Sequence, residues 1–373
     1  MTGSPATGPE DPRLAAPIVG VVGAGIMGSG IAQVILEAGD EVLIQDVDEA
    51  AIDRATERIR DGLARRAATL QLDPDTIDDW VDGRISRLRA ATTLDQVGEE
   101  ADVVIESALE SLDLKQTIFR TLDTAAAPTT MLATNTSALP IAEIAAVTAW
   151  PARVLGLHFF NPAPLMALVE VVVGALTAAD VADAATSLVE RWGKTPVRSA
   201  DAPGFIVNRV NRPFTIEALR LLEAGEASVE QIDEAIREAG FPMGPFELMD
   251  LAGLDVNLAA ALGVWDGLGR PDRLRPSPIQ EQLVADERLG RKTSEGFYRY
   301  EDGRRVGVSN AFVAAWSSAS PDAIRERILA AIASEARRAL DEGVASSADI
   351  DTALRLGANH PQGPFEREDS GRG

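Results

Sequence analysis

Val19-Gly-Val-Val-Gly23-Ala-Gly25-Ile-Met-Gly28 is the stretch from which the fold is read. A short β-branched run leads into glycines spaced G-x-G-x-x-G, and an apolar stretch of helical character follows. Strand, tight turn and helix are what this order predicts. Gly23 permits the turn, Gly25 lets the backbone approach a pyrophosphate, and Gly28 lets helix and strand pack closely, with Gly30 extending that packing. The first helical turn, with Ile26 and Met27, offers N–H groups and the positive end of the helix dipole to phosphate oxygens. Asp46 ends the next strand, 18 residues past Gly28. A carboxylate there accepts hydrogen bonds from the adenosine ribose hydroxyls and repels a 2′-phosphate. The pattern points to NAD rather than NADP. The plain alternative is a packing turn that binds nothing.

Outward from this stretch, β-branched runs alternate with amphipathic segments. Strands are expected at 18–22, 41–46, 103–106, 131–134, 154–158, 168–173 and 194–199, with a long helix at 49–67. Alternation of this kind predicts an α/β domain, a Rossmann-type doubly wound sheet over residues 17–200. From Gly204 the strand pattern vanishes, and an all-α domain is expected over 201–301. Residues 302–322 read as a linker. Residues 1–16 and 367–373 have the composition of disordered tails.

Residues 323–366 hold a partial repeat. Glu217-Ala-Leu-Arg-Leu-Leu-Glu-Ala-Gly-Glu-Ala-Ser returns as Glu335-Ala-Arg-Arg-Ala-Leu-Asp-Glu-Gly-Val-Ala-Ser. Ile232-Asp233 returns as Ile350-Asp351, and Gly244-Pro-Phe-Glu247 as Gly363-Pro-Phe-Glu366. The offset is 118 residues, slipping to 119 near the end. Such self-similarity marks a truncated copy of the helical domain.

Composition narrows the chemistry. The 373 residues include no cysteine, which excludes disulfides, thiolate nucleophiles and zinc–thiolate sites. No metal site is expected. The net charge of −23 argues against nucleic acid. No signal peptide is seen, and the apolar stretch 18–36 carries five glycines, too many for a membrane span. A cytoplasmic protein without a membrane partner is expected. Lysine is scarce: Lys115, Lys194 and Lys292 are all there are, so each position is informative.

Acid–base chemistry near neutral pH usually needs histidine. The chain has two. His158 ends an expected strand, where ligands sit in open α/β sheets, whereas His360 lies in the partial repeat beside a proline. Glu170 interrupts the apolar run Leu168-Val-Glu-Val-Val-Val173, and a carboxylate buried there needs a partner. A return loop through residues 161–166 brings it beside His158, unless Glu170 faces outward on an edge strand. Ser137, in Thr134-Asn-Thr-Ser137, follows another strand end and reads equally as a helix cap. Asn208 starts the helical domain, where an interdomain contact is the plainer role.

These blocks carry a resemblance. Gly23-Ala-Gly-Ile-Met-Gly-Ser-Gly-Ile-Ala32, Asn135-Thr-Ser137, Gly156-Leu-His-Phe-Phe-Asn-Pro-Ala-Pro164, Leu168-Val-Glu-Val-Val172, Asp201-Ala-Pro-Gly-Phe-Ile-Val-Asn-Arg209, Pro242-Met-Gly-Pro-Phe-Glu-Leu248 and Arg291-Lys-Thr-Ser-Glu-Gly-Phe-Tyr298 occur in order. Over about residues 17–301 the chain resembles the 3-hydroxyacyl-CoA dehydrogenase family. The resemblance implies NAD-dependent oxidation of an (S)-3-hydroxyacyl-CoA to the 3-ketoacyl-CoA. It implies His158 as general base, Glu170 as its orienting partner, and Ser137 and Asn208 on the substrate oxygens. Glu110, Lys115, Asn135, Ser137, Asn161 and Lys292 match positions near the cofactor's ribose and nicotinamide. Helical domains of the family pair across a dimer axis, so a homodimer is expected.

The chain departs from the family pattern at Ser111, Ala167 and Ser294. The family's CoA-contacting lysines are absent, and Arg54, Arg58 and Arg65 lie on one helix face that offers a substitute; a solvated face is the plainer reading. A free 3-hydroxy acid resembling L-gulonate, or an acyl group on a carrier protein, is therefore an alternative substrate. A non-catalytic NAD-binding structural protein is the more distant alternative.

Overall fold

The computed structural model describes residues 15–312 and 319–370. The chain divides into two compact units, one reaching to Asp201 and one starting at Ala202.

The first unit is built on eight strands: β1 (Ile18–Val22), β2 (Glu41–Gln45), β3 (Leu88–Ala90), β4 (Val103–Glu106), β5 (Met131–Thr134), β6 (Val154–Phe159), β7 (Leu168–Val173) and β8 (Thr195–Ala200). Their order is β3-β2-β1-β4-β5-β6-β7-β8. Neighbours run parallel except β6 and β7, which are antiparallel. Helices cover both faces, so the central strands are near-continuous apolar runs: Val103, Val104 and Ile105 are buried, as are Met131, Leu132 and Ala133. The chain goes outward from β1 to β2 on one side and to β4 on the other. That reversal opens a crevice at the C-terminal end of β1, where open α/β sheets bind ligands. Two helices frame it: α1 (Ile26–Ala38) and α2 (Glu49–Thr69).

The sheet expected from the sequence is present. β3 was not expected; it is three residues long and mostly exposed, too short to show an alternation.

The second unit is helical, with one correction. β9 (Tyr298–Glu301) and β10 (Arg304–Val308) form an antiparallel hairpin, so strands do not end before Gly204 and 302–322 is not a plain linker. Its turn is Asp302-Gly303, both at positive φ (48° and 73°), the pairing that suits the twist of a two-residue hairpin. The tail expected at 367–373 is also corrected: the helix Pro364–Ser370 takes in its first four residues. The rest of that tail, and nearly all of the one expected at 1–16, lies outside the described residues.

The partial repeat folds as a second copy. Helices Arg212–Glu223, Val229–Glu238 and Pro245–Ala252 correspond to Pro321–Asp341, Ser347–Gly357 and Pro364–Ser370. The joints match atom for atom. Asp233 accepts from the N–H groups of Phe246 (2.9 Å) and Glu247 (3.1 Å), and Asp351 from Phe365 (2.9 Å) and Glu366 (3.2 Å). The copies pack on each other reciprocally. Arg209 donates to Glu335 (2.9 Å), while Arg327 and Glu217, each 118 residues away from the matching partner, join at 3.0 Å. Residue i meeting j′ while j meets i′ is the signature of a two-fold contact.

Candidate active site

The glycine turn between β1 and α1 is the first component. Gly23 stands at φ 100°, and its N–H donates to the Gln45 carbonyl (2.8 Å), tying the turn to β2. A Cβ on Gly28 would lie 1.8 Å from the Gly23 carbonyl oxygen, so the fold itself demands glycine there. Gly25 differs: a Cβ on it would meet no protein atom within 4 Å. The helix it opens has no side-chain cap and no acidic residue in its first turn, and Ile26 is 72 % exposed. Bare N–H groups beside a bare glycine are what a pyrophosphate needs. Asp46 completes the cradle at the end of β2. Its Oδ2 accepts from Ala24 N–H (2.7 Å) and its Oδ1 from Asp48 N–H (3.1 Å), which fixes the carboxylate next to the turn. The residues present fit a dinucleotide.

The second component is a histidine–carboxylate pair. His158 on β6 and Glu170 on β7 are direct cross-strand partners. His158 Nδ1 lies 2.6 Å from Glu170 Oε2. Both are buried, the histidine 4 % exposed and the glutamate 0 %. The antiparallel turn-back between β6 and β7 creates the pair: twelve residues apart in sequence, the two face each other across one ladder rung. The outward-facing edge position considered for Glu170 is excluded, because β8 covers the far side of β7.

Around the pair, the strand ends are tied together. Asn135 donates through Nδ2 to Ser107 Oγ (3.3 Å) and accepts at Oδ1 from the N–H of Phe159 (2.8 Å), next to His158. Glu110 accepts from Thr136 Oγ1 (2.5 Å) and from the N–H of Ser137 (3.0 Å), which sets the position of Ser137. Lys115 lies beneath the site as an interior support for its carboxylates. It is 1 % exposed and donates to both oxygens of Glu106 (2.8 and 2.9 Å), with Glu110 at 3.4 Å. It reaches the site through Glu110. Asn161 is exposed on the loop between β6 and β7.

The arginine face is mostly committed. Arg58 donates to the Ala24 carbonyl (2.7 Å) and to Ser29 Oγ (3.2 Å), bracing the glycine turn from α2, a role that sequence reasoning missed. Arg54 pairs with Asp48 (2.9 Å), and Arg65 is exposed. In the second unit Asn208 is half-buried on the short helix Val207–Val210, and Lys292 donates to both oxygens of Asp255 (2.5 and 2.7 Å). His360 is a core residue beside Phe241 and Phe214, with Nε2 2.8 Å from Asn211 Oδ1.

The chain matches the family model for the 3-hydroxyacyl-CoA dehydrogenase NAD-binding domain over residues 18–202, and the model for the C-terminal domain over 204–300 and again over 324–370. It belongs to the 3-hydroxyacyl-CoA dehydrogenase family. A 3-hydroxyadipyl-CoA dehydrogenase of Escherichia coli is 37 % identical over 93 % of this chain and 89 % of its own length. The mitochondrial hydroxyacyl-coenzyme A dehydrogenase of Rattus norvegicus is 42 % identical over 76 % of this chain and 91 % of its own. Among solved structures, a 3-hydroxybutyryl-CoA dehydrogenase from Escherichia coli superposes with a TM-score of 0.84 at 36 % identity, covering 94 % of this chain and 90 % of the other. This 3-hydroxyacyl-CoA dehydrogenase is NAD-dependent.

Proposed function

We propose that the chain oxidises the 3-hydroxyl of an (S)-3-hydroxyacyl-CoA, with His158 as general base and Glu170 as its orienting partner. The observation that carries this reading is the buried 2.6 Å contact between His158 Nδ1 and Glu170 Oε2. When Nδ1–H donates to the carboxylate, the neutral ring keeps its other lone pair on Nε2, ready to accept the hydroxyl proton. Glu170 then balances the charge of the protonated ring, in surroundings that screen little. NAD, held at the glycine turn and Asp46, would supply the acceptor for the hydride that leaves C3. Ser137 is held by Glu110 and supplies a hydrogen bond to the substrate oxygen. The substrate is a thioester in keeping with the relatives' names, and the relative matching nearly the whole chain adds a dicarboxylic acyl group to the candidates.

The test is NADH formation from (S)-3-hydroxybutyryl-CoA, (S)-3-hydroxyhexanoyl-CoA and 3-hydroxyadipyl-CoA, with L-gulonate as the free acid. Turnover of a thioester is expected. His158→Gln should lower kcat by about 10²- to 10⁴-fold. Near-normal turnover in that variant removes His158 from the role, and activity on gulonate alone replaces the thioester.

A further inference from the structure

Two of the three lysines are accounted for: Lys115 supports Glu110, and Lys292 pairs with Asp255. The third, Lys194, makes no ion pair within 4.0 Å among the described residues, though Glu37 is a charged neighbour. It precedes β8, and its Nζ donates to three backbone carbonyls: Ala163 (2.7 Å), Met166 (2.9 Å) and Pro164 (3.2 Å). A lysine ammonium has three N–H donors, and all three are used.

The carbonyls belong to the loop joining β6 to β7. Its ends are the strands that carry His158 and Glu170, and Asn161 lies within it. The loop includes Pro162 and Pro164, which have no N–H, so it is rich in acceptors and poor in donors. Leu165 and Met166 both donate to the Pro162 carbonyl (2.9 and 3.0 Å), and the 163, 164 and 166 carbonyls turn the other way, to Lys194. α1 also packs on the loop: a Cβ on Gly30 would come within 3.2 Å of Pro164 and 3.3 Å of Ala163. The loop is thus held both by contact with the helix that opens the dinucleotide cradle and by one ammonium group.

We propose that Lys194 is a positioning residue for the reaction: its ammonium serves as a built-in cation that fixes the β6–β7 loop, and through it the register of the His158–Glu170 pair and the place of Asn161. This rests on the proposed roles of that pair. A backbone-only grip of this kind gives no steric requirement for a long side chain other than delivery of the charge. Burial pulls the ammonium below the usual lysine range, and the Glu37 carboxylate acts in the opposite direction.

The experiment compares wild type with Lys194→Met and Lys194→Ala. Hydrogen exchange of the loop amides, measured without substrate, should accelerate in both variants while the amides of β1, β4 and β5 keep their protection. In turnover of the best thioester, kcat should fall about 10- to 100-fold, the scale of a small misplacement, with KM for NAD changed less than about twofold. Added ethylamine should restore part of the rate in Lys194→Ala and none in Lys194→Met, whose side chain fills the space. Unchanged loop exchange, or wild-type kcat in a folded Lys194→Met, overturns the proposal. Loss of protection throughout the sheet overturns it too, since Lys194 would then act on folding alone. If the wild type turns over no thioester, the proposed substrate fails while the loop exchange still decides what Lys194 holds.

Discussion

His360 couples acid to unfolding through a single ring. It stacks edge-on to Phe241 at 4.8 Å, and burial pulls its pKa down from 6.5 to about 3. The folded state therefore refuses a proton that the unfolded chain accepts. The ring's contribution to stability is full above pH 6.5 and is lost as pH falls toward 3. The repeat supplies the test, since Phe241 occupies the position matching His360 in the first copy. In His360→Phe, the fall of the urea midpoint between about pH 7 and pH 4 should be shallower than in wild type. An equal fall in both would show that the ring protonates without unfolding the chain. The two histidines also mark how far the site was legible. His158 was separable from His360 because strand ends have a meaning in an α/β sheet. Glu170 was legible because a carboxylate inside an apolar run has to be paid for by a partner. Lys194 and Arg58 were not: they bind backbone carbonyls, joined for Arg58 by the distant Ser29 hydroxyl, and such partners leave no trace in side-chain pattern.

At the scale of elements, the β1–α1 turn contains two glycines that the sequence pattern gives different roles, and their surroundings differ in the structure too. Gly28 is required by packing, whereas a Cβ on Gly25 would meet nothing within 4 Å among the described residues. Gly25→Ala should leave the melting temperature within about 2 °C. It should weaken NAD binding about tenfold, a loss of about 1.4 kcal/mol. Gly28→Ala should destabilise the fold by about 3 kcal/mol, because its methyl group meets the Gly23 carbonyl. Titration calorimetry and thermal melts distinguish the two; equal melts would undo the distinction. Most strands that sequence revealed are buried on both faces, where apolar runs are nearly unbroken; β8, at the sheet edge and part exposed, is the exception. The hairpin was hidden because its strands, Tyr-Arg-Tyr-Glu and Arg-Arg-Val-Gly-Val, are arginine-rich and part exposed. Its Asp302-Gly303 turn was the available signal.

Across the whole helical unit, the two copies meet through symmetric pairs that are unequal in burial. Arg209 and Glu335 have side chains 1 % and 2 % exposed, whereas Arg327 is 36 % exposed. Glu335 also pairs with Arg273 (2.7 Å), so Glu335→Gln removes the buried carboxylate that two arginines share and should cost about 3 kcal/mol in urea unfolding. The residual contact of Arg209 with Glu342 (2.7 Å) keeps the loss from being larger. Arg327→Met should cost less than about 1 kcal/mol. Equal costs would mean that position in the symmetry, not burial, sets the energy. The repeat itself was legible from sequence, because both copies keep the aspartate that holds the next helix.

The reciprocal contact has a further consequence, for dilution. Two separate molecules that meet through such a face part as their concentration falls, and each then exposes what the other covered. Here both halves of the contact belong to one polypeptide, so each always finds the other at the fixed local concentration set by the chain between them. The melting point contributed by this face is the same in a dilute assay as in a crowded one.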